Sequence, residues 1–318
     1  MNYFVGEFSG KHHREWFPSF NQALYENYLR ENLNTKIAKY KHVKGDMRVF
    51  EIDELDYDVV CTGNSNFFID LDKKKVVCFN TYYNHRRLVA ENIRLFEDFD
   101  VSFYCGHYYE KDIKEVRRII ERGSRFTNEY KFLPWVFRPL HWILPSYEYN
   151  PKNKFLFFKG LYIPKHRDFL NIIKSKNISD IKINEGGRLP FENYHSTCAE
   201  SLVCLSAPGV KDMCNRDIEL FSMGVPTLRT KFFSELLHVE IPDDVYIPVE
   251  FEQRRLKPYG MPSDHEKLAE DMINKWNDIK KDEDYLLKVG KRAKEFYNEF
   301  FTNEKLMEFT FTILKQEL

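Results

Sequence analysis

The stretch VCLSAPGVKDMCNRDIELFSMGVPTLRTKF, residues 203–232, indicates the fold of the chain. An apolar strand is followed by a loop of small residues, a helix and a second strand. Arg216 and Glu219 are three positions apart, which places both side chains on one face of that helix. The free N–H groups at a helix N-terminus favour an anion, and the arginine adds positive charge beside them. The pair suits a ligand that carries an anion and hydroxyls; an exposed ion pair on a surface helix is the alternative.

The length of 318 residues favours two domains, and the 43% of hydrophobic residues are enough for packed cores. The 48 basic and 49 acidic residues nearly cancel, so net charge favours neither nucleic acid nor a membrane surface. The N-terminus lacks the pattern of a signal peptide, and no apolar run approaches the roughly 20 residues of a membrane span. We expect a soluble, cytoplasmic protein, in the host cytoplasm if the source is viral.

Six cysteines are present without any C-x-x-C spacing, and four of them lie in apolar, strand-like runs. This usage predicts reduced, buried thiols. Cys214 is the exception to examine, because a thiol at the start of a helix can have a lowered pKa.

The first half of the chain alternates short apolar runs with helical patterns. Continuous apolar runs are typical of strands that are covered on both faces, as in a parallel sheet flanked by helices. A Rossmann-like domain is therefore predicted for residues 1–150. Its predicted strands are 3–6, 57–63, 76–80, 101–106 and 132–137.

Four prolines and the polar segment YNPKNK (149–154) mark a domain junction. Beyond it the alternation restarts, which predicts a second Rossmann-like domain over residues 151–300, closed by C-terminal helices. Ser263 and Glu266 predict a capping box at the start of the first of these helices. The last helical stretch, 301–318, is expected to pack back on the N-terminal domain. The predicted elements of the second domain are strands at 155–160, 181–184, 202–209 and 225–230, and helices near 165–176, 190–200 and 213–223.

Glycines or cations follow three successive strands of the second domain. Ligands of open α/β sheets bind at the carboxyl ends of the strands, so these residues are predicted to meet in one crevice. The three strand ends are Lys159-Gly160 with Arg167 opening the next helix, Glu185-Gly186-Gly187-Arg188, and Ala207-Pro208-Gly209.

Three motifs of this domain resemble the donor-binding half of exostosin-like and related GT-B glycosyltransferases. The resemblance covers about residues 155–232, and the first half carries no family signature. It implies an α/β fold of two Rossmann-like domains facing a central cleft, with a nucleotide-diphosphate sugar bound by the second domain. The motifs are FFKG (157–160) with Arg167, Tyr194 with SLVCLSAPG (201–209), and RDIELFSMGVP (216–226).

The resemblance also implies roles for single residues. Arg216 and Arg167 would neutralise the donor diphosphate and the charge that builds on it as the glycosidic bond breaks. Glu219 would accept hydrogen bonds from ribose or sugar hydroxyls, and Gly209 would let the backbone approach phosphate. The remaining donor-binding residues are Lys159, Gly160 and Arg188.

The catalytic base is expected in the loop after the first strand, residues 6–13, which faces the donor sugar in a GT-B cleft. An inverting enzyme needs a base to take the acceptor proton, and Glu7 or His13 has the right chemistry. His12 and His85 are expected to bind the acceptor. In a retaining enzyme these groups would only bind the acceptor, and solvated loop residues are the further alternative.

A metal ion is not expected. Asp70-Leu71-Asp72 matches the D-x-D metal motif of the other large glycosyltransferase architecture, but it precedes three lysines between two strand-like runs and so predicts a hairpin. The scattered histidines lack zinc-ligand spacing, and neither a P-loop nor a G-x-G-x-x-G motif is present. The nucleotide sugar is then a co-substrate, and no cofactor is predicted.

These features predict a metal-independent hexosyl- or pentosyltransferase that moves a sugar to a hydroxyl of a glycan or other acceptor. One alternative is a phage-type enzyme that glycosylates modified bases of DNA, with paired arginines on phosphates. A nucleotide-sugar epimerase and a non-catalytic nucleotide-sugar binding module are the others. The donor, the acceptor and the stereochemical outcome stay open.

Overall fold

The computed structural model describes most of the second half of the chain and six strands of the first half. The chain divides into two compact units, the first made of residues 1–143, 236–238 and 303–318, and the second of residues 144–235 and 239–302. The described ranges are 147–160, 163–184, 186, 189–208, 212–232, 239–252 and 261–302, single residues between 304 and 316, and the backbone of the six strands named next.

The first unit contains a mixed sheet. Its described strands lie in the order β2-β1-β3-β4-β5-β6. β1 pairs in parallel with β2 and β3, and β5 with β6, whereas β4 is antiparallel to both of its neighbours. The strands are β1 (Tyr3–Glu7), β2 (Lys36–Lys39), β3 (Val59–Gly63), β4 (Asn66–Asp70), β5 (Lys75–Asn80) and β6 (Asp100–Cys105).

The antiparallel pair β4–β5 contains the start of the D-x-D sequence. Asp70 is the last residue of β4 and pairs with Lys75, the first residue of β5. The hairpin that the sequence predicted here is confirmed. Asp72 lies outside the described residues, as does the strand predicted at 132–137.

The second unit contains a parallel sheet in the order β11-β10-β9-β7-β8. Its strands are β7 (Asn153–Phe158), β8 (Ile181–Ile183), β9 (Ser201–Ser206), β10 (Thr227–Thr230) and β11 (Ile247–Val249). The helices described between and after them are α1 (Asp168–Ser175), α2 (Phe191–Glu200), α3 (Asn215–Met223), α4 (His265–Ile279) and α5 (Glu283–Phe300).

Helices cover both faces of this parallel sheet. Val203 and Leu205 of β9 belong to an apolar cluster with α1 and α4, whereas Cys204 between them belongs to a second cluster with α2 and α3. Successive side chains of a strand point to opposite faces, so a strand that is buried throughout must pack on both. This is the α/β arrangement that the continuous apolar runs predicted.

The start of α4 differs from the prediction. Asp264, not Ser263, is the N-cap, and its carboxylate accepts a hydrogen bond from Lys267 N at 2.9 Å. The helix therefore begins one residue later than a capping box between Ser263 and Glu266 requires, because the Asp264 carboxylate already satisfies the exposed N–H group. The apolar side of α4 packs in the core, with Trp276 wholly buried. None of the described helices is long and apolar enough to cross a membrane.

Two glycines bring α5 against the end of α3. Gly224 ends α3 with a φ of 72°, a left-handed conformation that favours glycine. A Cβ atom built on Gly290 of α5 would lie 2.3 Å from the carbonyl oxygen of Gly224. The close approach of two backbones thus fixes the position of α3.

Candidate functional site

The strand order of the second unit reverses between β7 and β9. From β7 the chain continues to β8 on one side, and it then returns to β9 on the other side of β7. Open parallel sheets bind ligands at such a reversal, outside the carboxyl ends of the two strands. The residues that follow these strands are Lys159-Gly160 and Ala207-Pro208.

The guanidinium of Arg216, from the first turn of α3, lies at the carboxyl end of β7. Its Nε donates a hydrogen bond to the Tyr194 hydroxyl at 2.9 Å, and its Nη2 donates one to the Lys159 carbonyl. The guanidinium carbon lies 4.3 Å from the centre of the Phe158 ring, within range of a cation–π interaction. Nη1 is buried and has no hydrogen-bond partner among the described residues. Arg216 is thus held on two sides while its Nη1 nitrogen stays without a partner there.

Gly160 provides the space that this arginine occupies. A Cβ atom at position 160 would lie 2.2 Å from Nη2 of Arg216, far inside the contact distance. The glycine of the FFKG motif therefore has a steric reason to be glycine. The structure brings Lys159, Gly160 and Arg216 together, as their positions in the sequence predicted.

The carboxyl ends of β7 and β8 are joined to each other. The Asn184 side chain accepts a hydrogen bond from Gly160 N at 2.8 Å, and Asn184 N donates one to the Phe158 carbonyl at 2.8 Å. The ammonium of Lys159 donates to the Gly186 carbonyl at 3.0 Å. Lys159 thus lies at the carboxyl end of β7, bound to the loop after β8.

Glu219 lies one helical turn after Arg216 and is buried. Its Oε2 is 3.5 Å from Nε2 of His195, whose side chain is 1% exposed. Tyr194 and His195 are consecutive on α2, and their rings are 5.1 Å apart. Two neighbouring residues of α2 thus face the two residues of α3 that the sequence singled out.

Arg167 is buried at the carboxyl end of β9. Its Nε donates to the Pro208 carbonyl at 3.0 Å, and its Nη2 donates to the Ala207 carbonyl at 2.8 Å. These bonds hold the backbone just before Gly209. Arg167 therefore supports the loop after β9, and its predicted role toward the donor diphosphate stays a prediction.

The pKa of the Cys214 thiol, the N-cap of α3, is shifted upward. Burial raises this pKa, and the negative charge of Asp217 raises it further. The position at the helix start therefore does not activate this thiol, because burial disfavours the thiolate.

A buried ion-pair network supports the start of α3. Arg229 of β10 lies with its Nη2 at 2.7 Å from Asp212 Oδ1 and with its Nη1 at 3.1 Å from Asp217 Oδ2. The same Asp217 oxygen accepts a hydrogen bond from Cys214 N at 2.7 Å. This network was not predicted from the sequence. Its signal was a charged residue inside the apolar strand VPTLRT, because a buried charge requires a partner.

For the remaining predicted site residues, the structure describes no side chain. Glu7 is the last residue of β1, and the structure describes its backbone only. His12, His13, His85, Arg188 and Gly209 lie outside the described residues. In the part of the chain that is described, no three His, Cys, Asp or Glu side chains are placed to hold a metal ion.

No protein-family model matches the chain, and no curated protein matches it in sequence. The fold is similar to that of sucrose-phosphate synthase from Thermosynechococcus elongatus, with 10% identity over 99% of this chain and 98% of that chain and a TM-score of 0.52. WaaG, a glycosyltransferase involved in lipopolysaccharide biosynthesis, aligns with 12% identity over 98% of each chain and a TM-score of 0.46. A chain of the GtfA/B complex aligns with 9% identity over 79% of this chain and 62% of that chain, with a TM-score of 0.40.

These structural neighbours are GT-B glycosyltransferases. At 10% identity the similarity to sucrose-phosphate synthase concerns the fold and not the substrates. The GT-B resemblance that three short motifs indicated in the sequence is thereby confirmed at the level of the fold.

Proposed function

We propose that the chain is a glycosyltransferase that binds a nucleotide-diphosphate sugar in its second unit and transfers the sugar to a hydroxyl of a glycan or other acceptor. Arg216 carries the proposal. Its Nη1 is buried and lacks a hydrogen-bond partner among the described residues, at the point where the strand order reverses. An unused buried donor costs about 1–3 kcal/mol, and more when it is charged. An anionic ligand offsets that cost.

A diphosphate suits this position better than a single negative charge. The planar guanidinium binds phosphate oxygens in two directions, and the amides at the start of α3 lie close to it along the chain. Arg167, which binds the carbonyls of the loop after β9, adds a second positive charge. Together these groups stabilise the diphosphate as it leaves the sugar, without a metal ion.

Glu219 supplies the group for hydroxyls in this proposal. It lies one helical turn after Arg216, which matches the separation between a diphosphate and the ribose or sugar joined to it. A carboxylate accepts hydrogen bonds from two neighbouring hydroxyls. Lys159, Gly160, Arg188 and Gly209 complete the proposed donor site.

The first unit supplies the acceptor site in this proposal. Glu7 at the end of β1, or His13 in the loop after it, is the proposed base that takes the acceptor proton. His12 and His85 are proposed to bind the acceptor. Among the described cysteines, Cys198, Cys204 and Cys214 form no disulfide, which fits the proposed reducing compartment such as the cytoplasm.

A thermal-shift panel of nucleotide sugars tests the proposed function. A ligand at a hundredfold its dissociation constant adds about 2.7 kcal/mol of stability, so a correct donor gives a clear rise in melting temperature. We expect the response to be confined to the nucleotide sugars of one base. If no nucleotide sugar raises the melting temperature, the proposal is wrong.

The same protein then separates the alternatives. Conversion of the donor alone into another nucleotide sugar indicates an epimerase, and binding without any turnover indicates a binding module. Binding to duplex DNA with a steep salt dependence indicates a DNA acceptor. Transfer to an added glycan or small hydroxyl acceptor, with release of the nucleoside diphosphate, is the result that we expect.

A further inference from the structure

We propose that Tyr194 and His195, consecutive residues of α2, are positioning residues for the two α3 side chains of the donor site. The inference rests on the proposed function, because it concerns how Arg216 and Glu219 are presented to the donor. Tyr194 and His195 each contact one of these two α3 residues. The Tyr194 hydroxyl accepts from Arg216 Nε at 2.9 Å, and His195 Nε2 lies 3.5 Å from Glu219 Oε2.

Tyr194 selects one conformation of a flexible side chain. An arginine has many rotamers, and a ligand that must first order it binds more weakly. The Tyr194 hydroxyl and the Lys159 carbonyl each bind one nitrogen of Arg216, and the Phe158 ring lies against the guanidinium. In that arrangement Nη1 stays available for a ligand oxygen.

His195 fixes the direction of the Glu219 carboxylate. Both side chains are buried, so neither exchanges its contact for water without cost. The imidazole Nε2 lies 3.5 Å from Oε2, a close contact that restricts how the buried carboxylate can turn. A carboxylate held in this way meets ligand hydroxyls without reordering.

The helix α2 is a rigid support for both contacts. Its Cys198 and Ala199 pack in the apolar cluster that also contains Phe157 of β7. The helix continues directly into β9 at Ser201, whose hydroxyl donates to the Thr197 carbonyl at 2.6 Å. Tyr194 and His195 therefore keep their places relative to the strands that form the site.

The test measures dissociation constants by calorimetry with two kinds of probe. Inorganic pyrophosphate reports the Arg216 half of the site, and uridine and guanosine diphosphates report both halves. We expect Tyr194→Phe to weaken pyrophosphate and the matching nucleoside diphosphate by about tenfold. We expect His195→Gln to weaken the nucleoside diphosphate by about tenfold and to leave pyrophosphate binding unchanged.

Double mutants separate positioning from a general effect on structure. In the Arg216→Ala background, Tyr194→Phe should change the nucleoside diphosphate affinity by less than about twofold. His195→Gln should likewise have little effect in the Glu219→Ala background. The crossed pairs, Tyr194→Phe with Glu219→Ala and His195→Gln with Arg216→Ala, are the matched controls and should be additive.

A second variant keeps the test sharp if Tyr194→Phe fails to fold. Gly160→Ala places a Cβ atom 2.2 Å from Arg216 Nη2, so it must displace the guanidinium. It should weaken pyrophosphate in the wild-type background and have no effect with Arg216→Ala. His195→Asn replaces His195→Gln in the same way, with thermal melting as the check of folding.

The outcomes distinguish the two proposals. If the wild-type protein binds neither pyrophosphate nor any nucleoside diphosphate, the proposed function and this inference are both overturned. If the wild type binds but all four pairs are additive, the positioning role is overturned while the donor site stands. If only the two contacting pairs are non-additive, both the donor site and the positioning role are supported.

Discussion

The carboxylate of Asp217 lies 3.1 Å from Nη1 of the buried Arg229. Asp217 directly follows Arg216, the residue that we propose to bind the donor. Asp212 binds the same guanidinium at 2.7 Å. Arg216 and Asp217 are neighbours that face different partners, so the charge of Asp217 is already paired. The network thus fixes the start of α3, while Nη1 of Arg216 has no hydrogen-bond partner among the described residues.

We expect Arg229→Met to lower the free energy of unfolding by about 3–5 kcal/mol, because it leaves two buried carboxylates without their partner. Urea unfolding measures the change. Arg292→Ala is the matched control, since Arg292 pairs with Asp244 on the surface at 3.4 Å. The control should cost less than about 1 kcal/mol. If both variants lose the same small amount of unfolding free energy, the buried network contributes no more to stability than the surface pair does.

We expect Gly290→Ala to destabilise the second unit, although alanine favours a helix over glycine by about 1 kcal/mol. The new methyl group would lie 2.3 Å from the Gly224 carbonyl oxygen, a backbone atom that cannot move without shifting α3. Overpacking of this kind typically costs about 1–3 kcal/mol.

The control for Gly290→Ala is Leu287→Ala on the same helix. Leu287 is 52% exposed, so its truncation should change the free energy of unfolding by less than about 0.5 kcal/mol. Chemical unfolding of the two variants makes the comparison. A Gly290→Ala protein that is as stable as the wild type, or more stable, contradicts the close packing.

The sequence predicted most strands but missed those with weak apolar runs. β2 is KIAK, with two apolar residues between lysines, and β11 is IPV, whose proline is unusual in a strand. β4 was predicted only as the first strand of the hairpin that contains Asp70, and it pairs with β3 from Gly63 and Asn66 onward. The second unit was easier, because strands that are buried on both faces need continuous apolar residues.

The candidate site was predictable only where residues follow strands that end at the same edge of the sheet. This covers Lys159 and Gly160 after β7 and Arg216 on the helix after β9, which the structure brings together. The contacts of Tyr194 and His195 join residues more than 20 positions apart, and no local spacing encodes them. Tertiary packing of α2 against α3 decides them.

We expect Arg216→Ala to reduce glycosyl transfer by about a hundredfold or more while the fold is kept, because a charged group that stabilises the leaving diphosphate is removed. Single-turnover rates with the donor found by thermal shift measure the loss. Lys294→Ala, which removes an exposed cation paired with Glu148, is the control and should transfer at the wild-type rate. A transfer rate near that of the wild type in Arg216→Ala would remove Arg216 from the site.

The pH dependence of stability provides a prediction that does not depend on the function. Burial lowers the pKa of His166, and the nearby charges of Arg167 and His265 lower it further, while Asp168 acts in the opposite direction. Its Nδ1 is buried without a hydrogen-bond partner among the described residues, so protonation of Nδ1 forms no stabilising hydrogen bond with them. The folded protein therefore keeps His166 neutral at a pH where the unfolded chain binds a proton.

The sign follows from which state binds more protons. Above about pH 7.5, His166 is neutral in both states and contributes no slope; below the ordinary histidine pKa of about 6.5, the unfolded chain takes up the proton first. Stability is therefore lost as the pH falls from about 6.5 toward the lowered pKa of His166 in the folded protein.

We expect His166→Asn to reduce the slope of unfolding free energy between pH 7.5 and 5, by at most about 1.4 kcal/mol per pH unit. Asp243→Asn is the control: the hydrogen bond from Lys231 lowers the pKa of Asp243, so its contribution disappears only below about pH 4. An unchanged slope in His166→Asn would mean that the folded protein protonates this histidine as readily as the unfolded chain does.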